Sequence, residues 1–135
     1  MIKKVNHIAV VVADLDASMR FWVDALGLEL FHKEHVASQA VDVAFLPVGD
    51  SKIELLQPTD SESGVARYLE KRGSGMHHIC FEVDDLEAAL ARLAKADVQL
   101  INEIPVTGSD GRKFAFIHPK SANGVLVELY ELVTV

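Results

Sequence analysis

Two histidines and two glutamates occupy matched places in this sequence. His7 lies in the run Val5-Asn6-His7-Ile8-Ala9-Val10-Val11-Val12, and His78 in Met76-His77-His78-Ile79-Cys80-Phe81-Glu82-Val83. One offset of 71 residues relates His7 to His78, Ile8 to Ile79, Asp14 to Asp85 and Leu15 to Leu86, which marks an internal repeat. Alternate residues of a strand face opposite sides. Ile8, Val10 and Val12, like Ile79, Phe81 and Val83, therefore form an apolar face, and His7 and His78 lie on the other. The strands that close the two repeats set Glu54 and Glu128 on the face opposite Ile53 and Leu55, or Val127 and Leu129. Imidazole nitrogen with carboxylate oxygen suits Zn²⁺, Ni²⁺, Co²⁺ or Mn²⁺ better than Ca²⁺, and two pairs leave room for water or a substrate. A lone strand histidine is more often a hydrogen-bonded polar residue than a ligand. Repetition of both residue types in register favours the metal site, provided the two sheets curl around one cleft.

The elements that must position these residues are repeated too. Val5 to Val12 reads as a strand, and Asp14 caps a helix whose apolar residues Leu15, Met19, Trp22 and Leu26 recur at helical spacing. Gly27 ends that helix, and strands are expected over Leu28 to Val36, Val41 to Pro47 and Lys52 to Gln57, the last two joined by a turn at Gly49-Asp50-Ser51. A connection of about residues 59–75, with a short helix around Val65 to Lys71, leads to the second module. That module reads as strand His78 to Val83, helix Leu86 to Ala96, and strands Val98 to Glu103, Lys113 to His118 and Val125 to Leu132, with loops at Thr107 to Arg112 and Ser121 to Gly124. Leu86, Leu90 and Leu93 repeat the phase of Leu15, Met19 and Trp22. The expected fold is α+β, two tandem βαβββ modules (about 1–58 and 76–135) in one domain, with curved mixed sheets and helices outside.

Composition bounds the function. A chain of 135 residues, 50% of them hydrophobic, can bury one core. It has no apolar run near the ~20 residues needed to span a bilayer and no basic leader, so it reads as cytoplasmic with no membrane partner. The net charge of −7, without a basic cluster, disfavours nucleic acid. Cys80, the single cysteine, excludes an internal disulfide and a four-cysteine zinc site.

Longer stretches carry a family resemblance. They are Val43-Ala44-Phe45-Leu46-Pro47-Val48-Gly49, Lys52-Ile53-Glu54-Leu55-Leu56-Gln57-Pro58, Tyr68-Leu69-Glu70-Lys71-Arg72-Gly73, Met76-His77-His78-Ile79 with Phe81-Glu82-Val83-Asp84-Asp85, and His118-Pro119-Lys120-Ser121 with Gly124-Val125-Leu126-Val127-Glu128-Leu129. In these the chain resembles the vicinal oxygen chelate superfamily and, within it, the methylmalonyl-CoA epimerases. The resemblance implies paired modules forming a cup around one divalent ion, of Co, Zn, Ni or Mn, held by His7, Glu54, His78 and Glu128. It implies epimerisation of a 2-substituted malonyl-CoA thioester through a metal-stabilised enolate, with Glu128 as acid/base. It also implies a homodimer, an acyl-CoA partner and substrate contacts at Lys120, Ser121 and Gln39.

One position departs from the family. A second carboxylate is expected in a Pro-Glu-Gln-Gly segment that here reads Ala37-Ser38-Gln39-Ala40. Ser38 stands at the place of the second acid/base, and a hydroxyl is too weak an acid or base for that task. Another residue could serve, with Glu34 and His35 nearby in sequence, Glu128 could move the proton alone, or the substrate could differ. A glyoxalase I-like lactoylglutathione lyase and another metal enzyme of the superfamily are the alternatives, followed by a non-catalytic small-molecule-binding protein. His77 is expected to pack, His32, His35 and His118 to lie on the surface or in loops, and Cys80 to fill space.

Overall fold

The computed structural model describes residues 1–108 and 110–132; Ser109, in the expected Thr107 to Arg112 loop, and residues 133–135 lie outside the described residues. The chain divides into two compact units, one of His7–His77 and one of Met1–Asn6 with His78–Val135, so the first strand contributes to both. Among the described residues no helix is long and apolar enough to cross a membrane.

The unit His7–His77 holds the latter part of β1 (Ile2–Val11), then α1 (Leu15–Met19), β2 (His32–Val36), β3 (Val41–Val48), β4 (Ser51–Pro58) and α2 (Gly64–Arg72). Its strand order is β2-β3-β4-β1, with β1 parallel to β4 and the other pairs antiparallel. A parallel neighbour for β1 is what a crossover helix produces. One face of these strands packs Val10, Ala44, Leu46, Ile53 and Leu55 against Leu15, Met19 and Trp22. On the other face, Ala9, Val11, Val43 and Leu56 are covered by Val65, Tyr68 and Leu69 of α2.

In the second unit β5 (Gly75–Val83) is followed by α3 (Leu86–Lys95), β6 (Val106–Thr107), β7 (Lys113–Ile117) and β8 (Val127–Glu131). The order is β5-β8-β7-β6, β5 is parallel to β8, and the start of β1 adjoins β5. Phe81, Val83, Ala115, Ile117 and Leu129 pack on Leu86, Leu90 and Leu93 of α3.

Local chemistry repeats with the strands. Asp14 Oδ1 accepts from Ala17 N at 3.0 Å, and Asp85 Oδ1 from Ala88 N at 3.0 Å. Each helix start also donates to its closing strand, Leu15 N to Gln57 Oε1 at 2.7 Å and Leu86 N to Glu131 Oε2 at 2.6 Å. These bonds satisfy amide groups that a first helical turn cannot pair internally. The 71-residue offset extends further than the first strand and helix, to Ala44-Phe45 and Ala115-Phe116.

Three expectations need correction. The first helix widens into a π-helical segment over Arg20–Ala25, with Leu26 N donating to Phe21 O at 2.8 Å. The extra residue per turn shifts the apolar stripe, so Val23 joins the core and Leu26 turns outward. Strand pairing at Leu28 to Val36 begins only at His32, because Leu28 N bonds back to Trp22 O at 3.0 Å and closes the helix end. Val98 to Glu103 forms only a bridge, Leu100 to Ile117. The Asn102 side chain accepts from Phe116 N at 2.8 Å there and takes the place of a ladder bond.

Candidate metal and proton-transfer site

Each unit builds one buried histidine–glutamate pair. In the first unit, His7 comes from β1 and Glu54 from β4, where the ladder sets Glu54 opposite Phe45 on one side and Ala9 on the other. His7 Nδ1 lies 3.2 Å from Glu54 Oε2, and the side chains are only 9% and 13% exposed. Lys52 stands two residues before Glu54 on the same face; its Nζ is 4.0 Å from Glu54 Oε2 and 5.8 Å from the centroid of Phe45. His32 stacks on Phe45 at 5.9 Å.

In the second unit, β5 supplies His78 and β8 supplies Glu128, which pairs with Cys80 and Phe116 in the ladders. His78 Nε2 lies 3.1 Å from Glu128 Oε1, with side chains 9% and 12% exposed. Phe116 meets the His78 ring edge-on at 5.7 Å. Burying four ionisable groups is costly unless each has a partner, and the two pairs supply one. Each pair offers an imidazole nitrogen and carboxylate oxygens, donor types that suit a borderline divalent ion.

The next residues outward differ between the units. Beyond Glu128 on β8, the Tyr130 hydroxyl donates to Asp110 Oδ2 at 2.8 Å and accepts from Arg112 Nη1 at 3.1 Å. Burial, and the Asp110 carboxylate beside it, push the Tyr130 phenol up to about 12, against the opposing pull of Arg112. Burial works to raise Asp110, but the Arg112 backbone N–H, the Tyr130 hydroxyl and the Arg112 charge hold it below the usual carboxylate value. Glu82, buried on β5 opposite Tyr130, accepts from Asn6 Nδ2 at 3.4 Å.

Ser38 is exposed, on a 3₁₀ turn over Ala37–Gln39 that ends in Ala40 at φ 53°, ψ 49°. His35 pairs with Asp42 at 2.7 Å, and both line a groove with Leu15, Asp16 and Gln57. That groove lies on the α1 side of the sheet, opposite Glu54, so His35 is not available to replace the missing carboxylate on the site's face. Gln39 and Lys120 are exposed. Ser121 Oγ accepts from Gln99 N at 2.8 Å and His118 Nδ1 from Lys120 N at 3.0 Å, bonds that hold the loop before β8. His77 packs edge-on against Tyr68 of α2 at 5.2 Å, and Cys80 is fully buried. Sequence reasoning missed Lys52 and the Tyr130–Arg112–Asp110 cluster. The repeated Ala-Phe pair was the available signal for Phe45 and Phe116.

Comparisons with known proteins cover nearly the whole chain. Residues 6–116 match the Glyoxalase/Bleomycin resistance protein/Dioxygenase superfamily. The chain is 39% identical over 134 residues to an ethylmalonyl-CoA/methylmalonyl-CoA epimerase of Cereibacter sphaeroides, covering 98% of this chain and 100% of that protein. The solved methylmalonyl-CoA epimerase of Mycobacterium tuberculosis is similar at a TM-score of 0.88 and 36% identity, covering 98% of this chain and 90% of the other. A variant of the Streptomyces coelicolor methylmalonyl-CoA epimerase in complex with 2-nitronate-propionyl-CoA is similar at 0.87 and 35%, over 99% and 100%. With α+β modules, paired strands and repeated His–Glu positions already in place, these likenesses assign the chain to the vicinal oxygen chelate superfamily and, within it, to the methylmalonyl-CoA epimerase family of isomerases.

Proposed function

We propose that this protein epimerises a 2-substituted malonyl-CoA thioester of the methylmalonyl-CoA type, using one divalent ion held by His7, Glu54, His78 and Glu128. The observation that carries this reading is the buried His–Glu pair at equivalent positions of both modules, at 3.2 and 3.1 Å, in a chain whose relatives include epimerases of that substrate class. A bound divalent ion supplies Lewis-acid stabilisation of the negative charge that develops on the thioester oxygen.

The chain's own residues do the rest. The substrate hydrogen to be moved lies on the carbon between a thioester and a carboxylate, and Glu128 is the base that takes it. His78, 3.1 Å away, orients that carboxylate, and Phe116 beside it helps to exclude water. Ser38 is exposed and has no useful acidity, so Glu128 both takes and returns the proton, and the deprotonated substrate must offer its other face before inversion. Exchange with solvent then outpaces inversion. A single epimer incubated in deuterated water with metal-loaded protein should lose its α-hydrogen faster than its circular dichroism; loss of neither would refute the reading.

A lactoylglutathione lyase is the second reading, favoured by one observation. That reaction moves a proton between adjacent carbons and needs no second carboxylate at Ser38. Turnover of a methylglyoxal–glutathione adduct without α-exchange on acyl-CoA thioesters would establish it.

A further inference from the structure

The repeat preserves His, Glu and Phe in both modules but does not preserve Lys52. Glu54 and Glu128 correspond, as do Lys52 and Leu126, so a cation precedes the glutamate in one module and an apolar residue in the other. The second module therefore forms its paired His–Glu site without a cation at this position. Lys52 is also held in a defined position. Its ammonium lies over the Phe45 ring at 5.8 Å, and His32 stacks on the same ring at 5.9 Å.

Glu54 does not saturate that ammonium. The contact is 4.0 Å, long for a hydrogen bond, and the same oxygen already faces His7 Nδ1 at 3.2 Å. An ammonium has three donors. The Lys52 side chain is 35% exposed where Glu54 is 13% exposed, so the positive charge stands at the solvent side of the buried pair.

We propose that Lys52 receives the free carboxylate of the substrate and so selects 2-carboxyacyl-CoA thioesters over simple acyl-CoA thioesters. This rests on the epimerase reading above. Removing a proton beside a carboxylate places a second negative charge next to the first, and a cation paired with the carboxylate lowers that cost. No bond to Lys52 forms or breaks, and it acts as a binding residue.

The test compares Lys52→Met, which keeps the stem and loses the charge, with Lys52→Arg. Calorimetric titration of metal-loaded protein with racemic methylmalonyl-CoA and with propionyl-CoA reads the preference directly. The wild type should prefer the diacid, and Lys52→Met should lose about tenfold or more of its affinity for that ligand alone. Lys52→Arg should restore most of the preference, with metal content unchanged throughout. Equal weakening toward both thioesters would make Lys52 a structural partner of Glu54 and overturn the inference, as would an unaltered Lys52→Met. If the wild type exchanges the α-hydrogen of methylmalonyl-CoA while Lys52→Met keeps the preference, the Lys52 inference alone falls; if the wild type neither exchanges nor discriminates, the epimerase reading falls with it.

Discussion

The two modules agree at the His–Glu pairs and part company one step further along the strands. Val11 and Leu56 in the first module correspond to Glu82 and Tyr130 in the second. Val11 and Leu56 lie beneath α2, in contact with Val65. Glu82 and Tyr130 instead join a polar cluster with Asn6, Arg112 and Asp110. The glutamates themselves also differ: Glu54 has Lys52 two residues before it on the same face, and the corresponding position before Glu128 holds Leu126. A duplicated scaffold has kept the pair and varied its surroundings, so a shared ligand role and a divided catalytic role can coexist. Under the proposed function Glu54 remains a ligand and Glu128 moves the proton.

Replacing each glutamate in turn breaks that comparison most sharply. Glu128→Gln should lower α-hydrogen exchange by about 10²–10⁴-fold, the usual contribution of a positioned base. Glu54→Gln, whose amide oxygen can still bind an ion, should lose less. Equal losses would erase the proposed division of labour. Next in size is the stability of metal-free protein: His7→Ala and His78→Ala each strand a buried carboxylate and should cost on the order of 3 kcal/mol in denaturant unfolding. A loss at one site only would show the pairs to be unequal as structural elements.

Beyond the pairs, the contrast between apolar and polar surroundings has its own scale. Leu56→Ala removes packing under α2 and should cost about 2–5 kcal/mol. The equivalent Tyr130→Phe deletes only a hydroxyl and its hydrogen bonds, for about 1 kcal/mol. Tyr130 also has a pH signature. The folded chain holds its phenolic proton more tightly than the unfolded chain, so that contribution to stability is full below the ordinary tyrosine value of 10.0 and is lost as pH rises toward about 12. In a Tyr68→Phe protein, where Tyr130 is the single tyrosine, an ultraviolet titration midpoint near 10 would contradict the cluster. The smallest effect belongs to Ala40, which holds a left-handed conformation at φ 53°. Ala40→Gly should stabilise by about 0.5–1 kcal/mol.

Much of this was legible in the sequence for one physical reason: a repeat in register transmits both strand parity and helix phase. His7, Glu54, His78 and Glu128 could be assigned to faces from alternation alone, and the caps Asp14 and Asp85 from their place before an apolar stripe. Features that depend on backbone competition were not legible. Leu26 left its stripe when the helix widened after Met19, and Val98 to Glu103 lost its ladder when the Asn102 side chain took the Phe116 amide. Periodicity records which residues are apolar and says little about which hydrogen bond wins. Lys52 was invisible for a related reason, since a lysine at the start of a strand, just after the Gly49-Asp50-Ser51 turn, reads as solvated. Its contact with Phe45 arises from the β3–β4 register.

The absent carboxylate at Ser38 gives the comparison a final use. Ser38→Glu sets a carboxylate on the exposed turn where the resemblance implies one, and it should raise inversion relative to exchange if Glu128 otherwise works alone.

The central claim, that paired His–Glu sites serve α-proton chemistry on a carboxyacyl-CoA thioester, is tested most directly by proton NMR of methylmalonyl-CoA in deuterated water with protein of measured metal content. The account predicts that metal-loaded wild type erases the α-proton signal of both epimers, and that Glu128→Gln, His7→Ala and His78→Ala each suppress this. Metal-loaded wild type that leaves the α-proton intact while converting a methylglyoxal–glutathione adduct would contradict it.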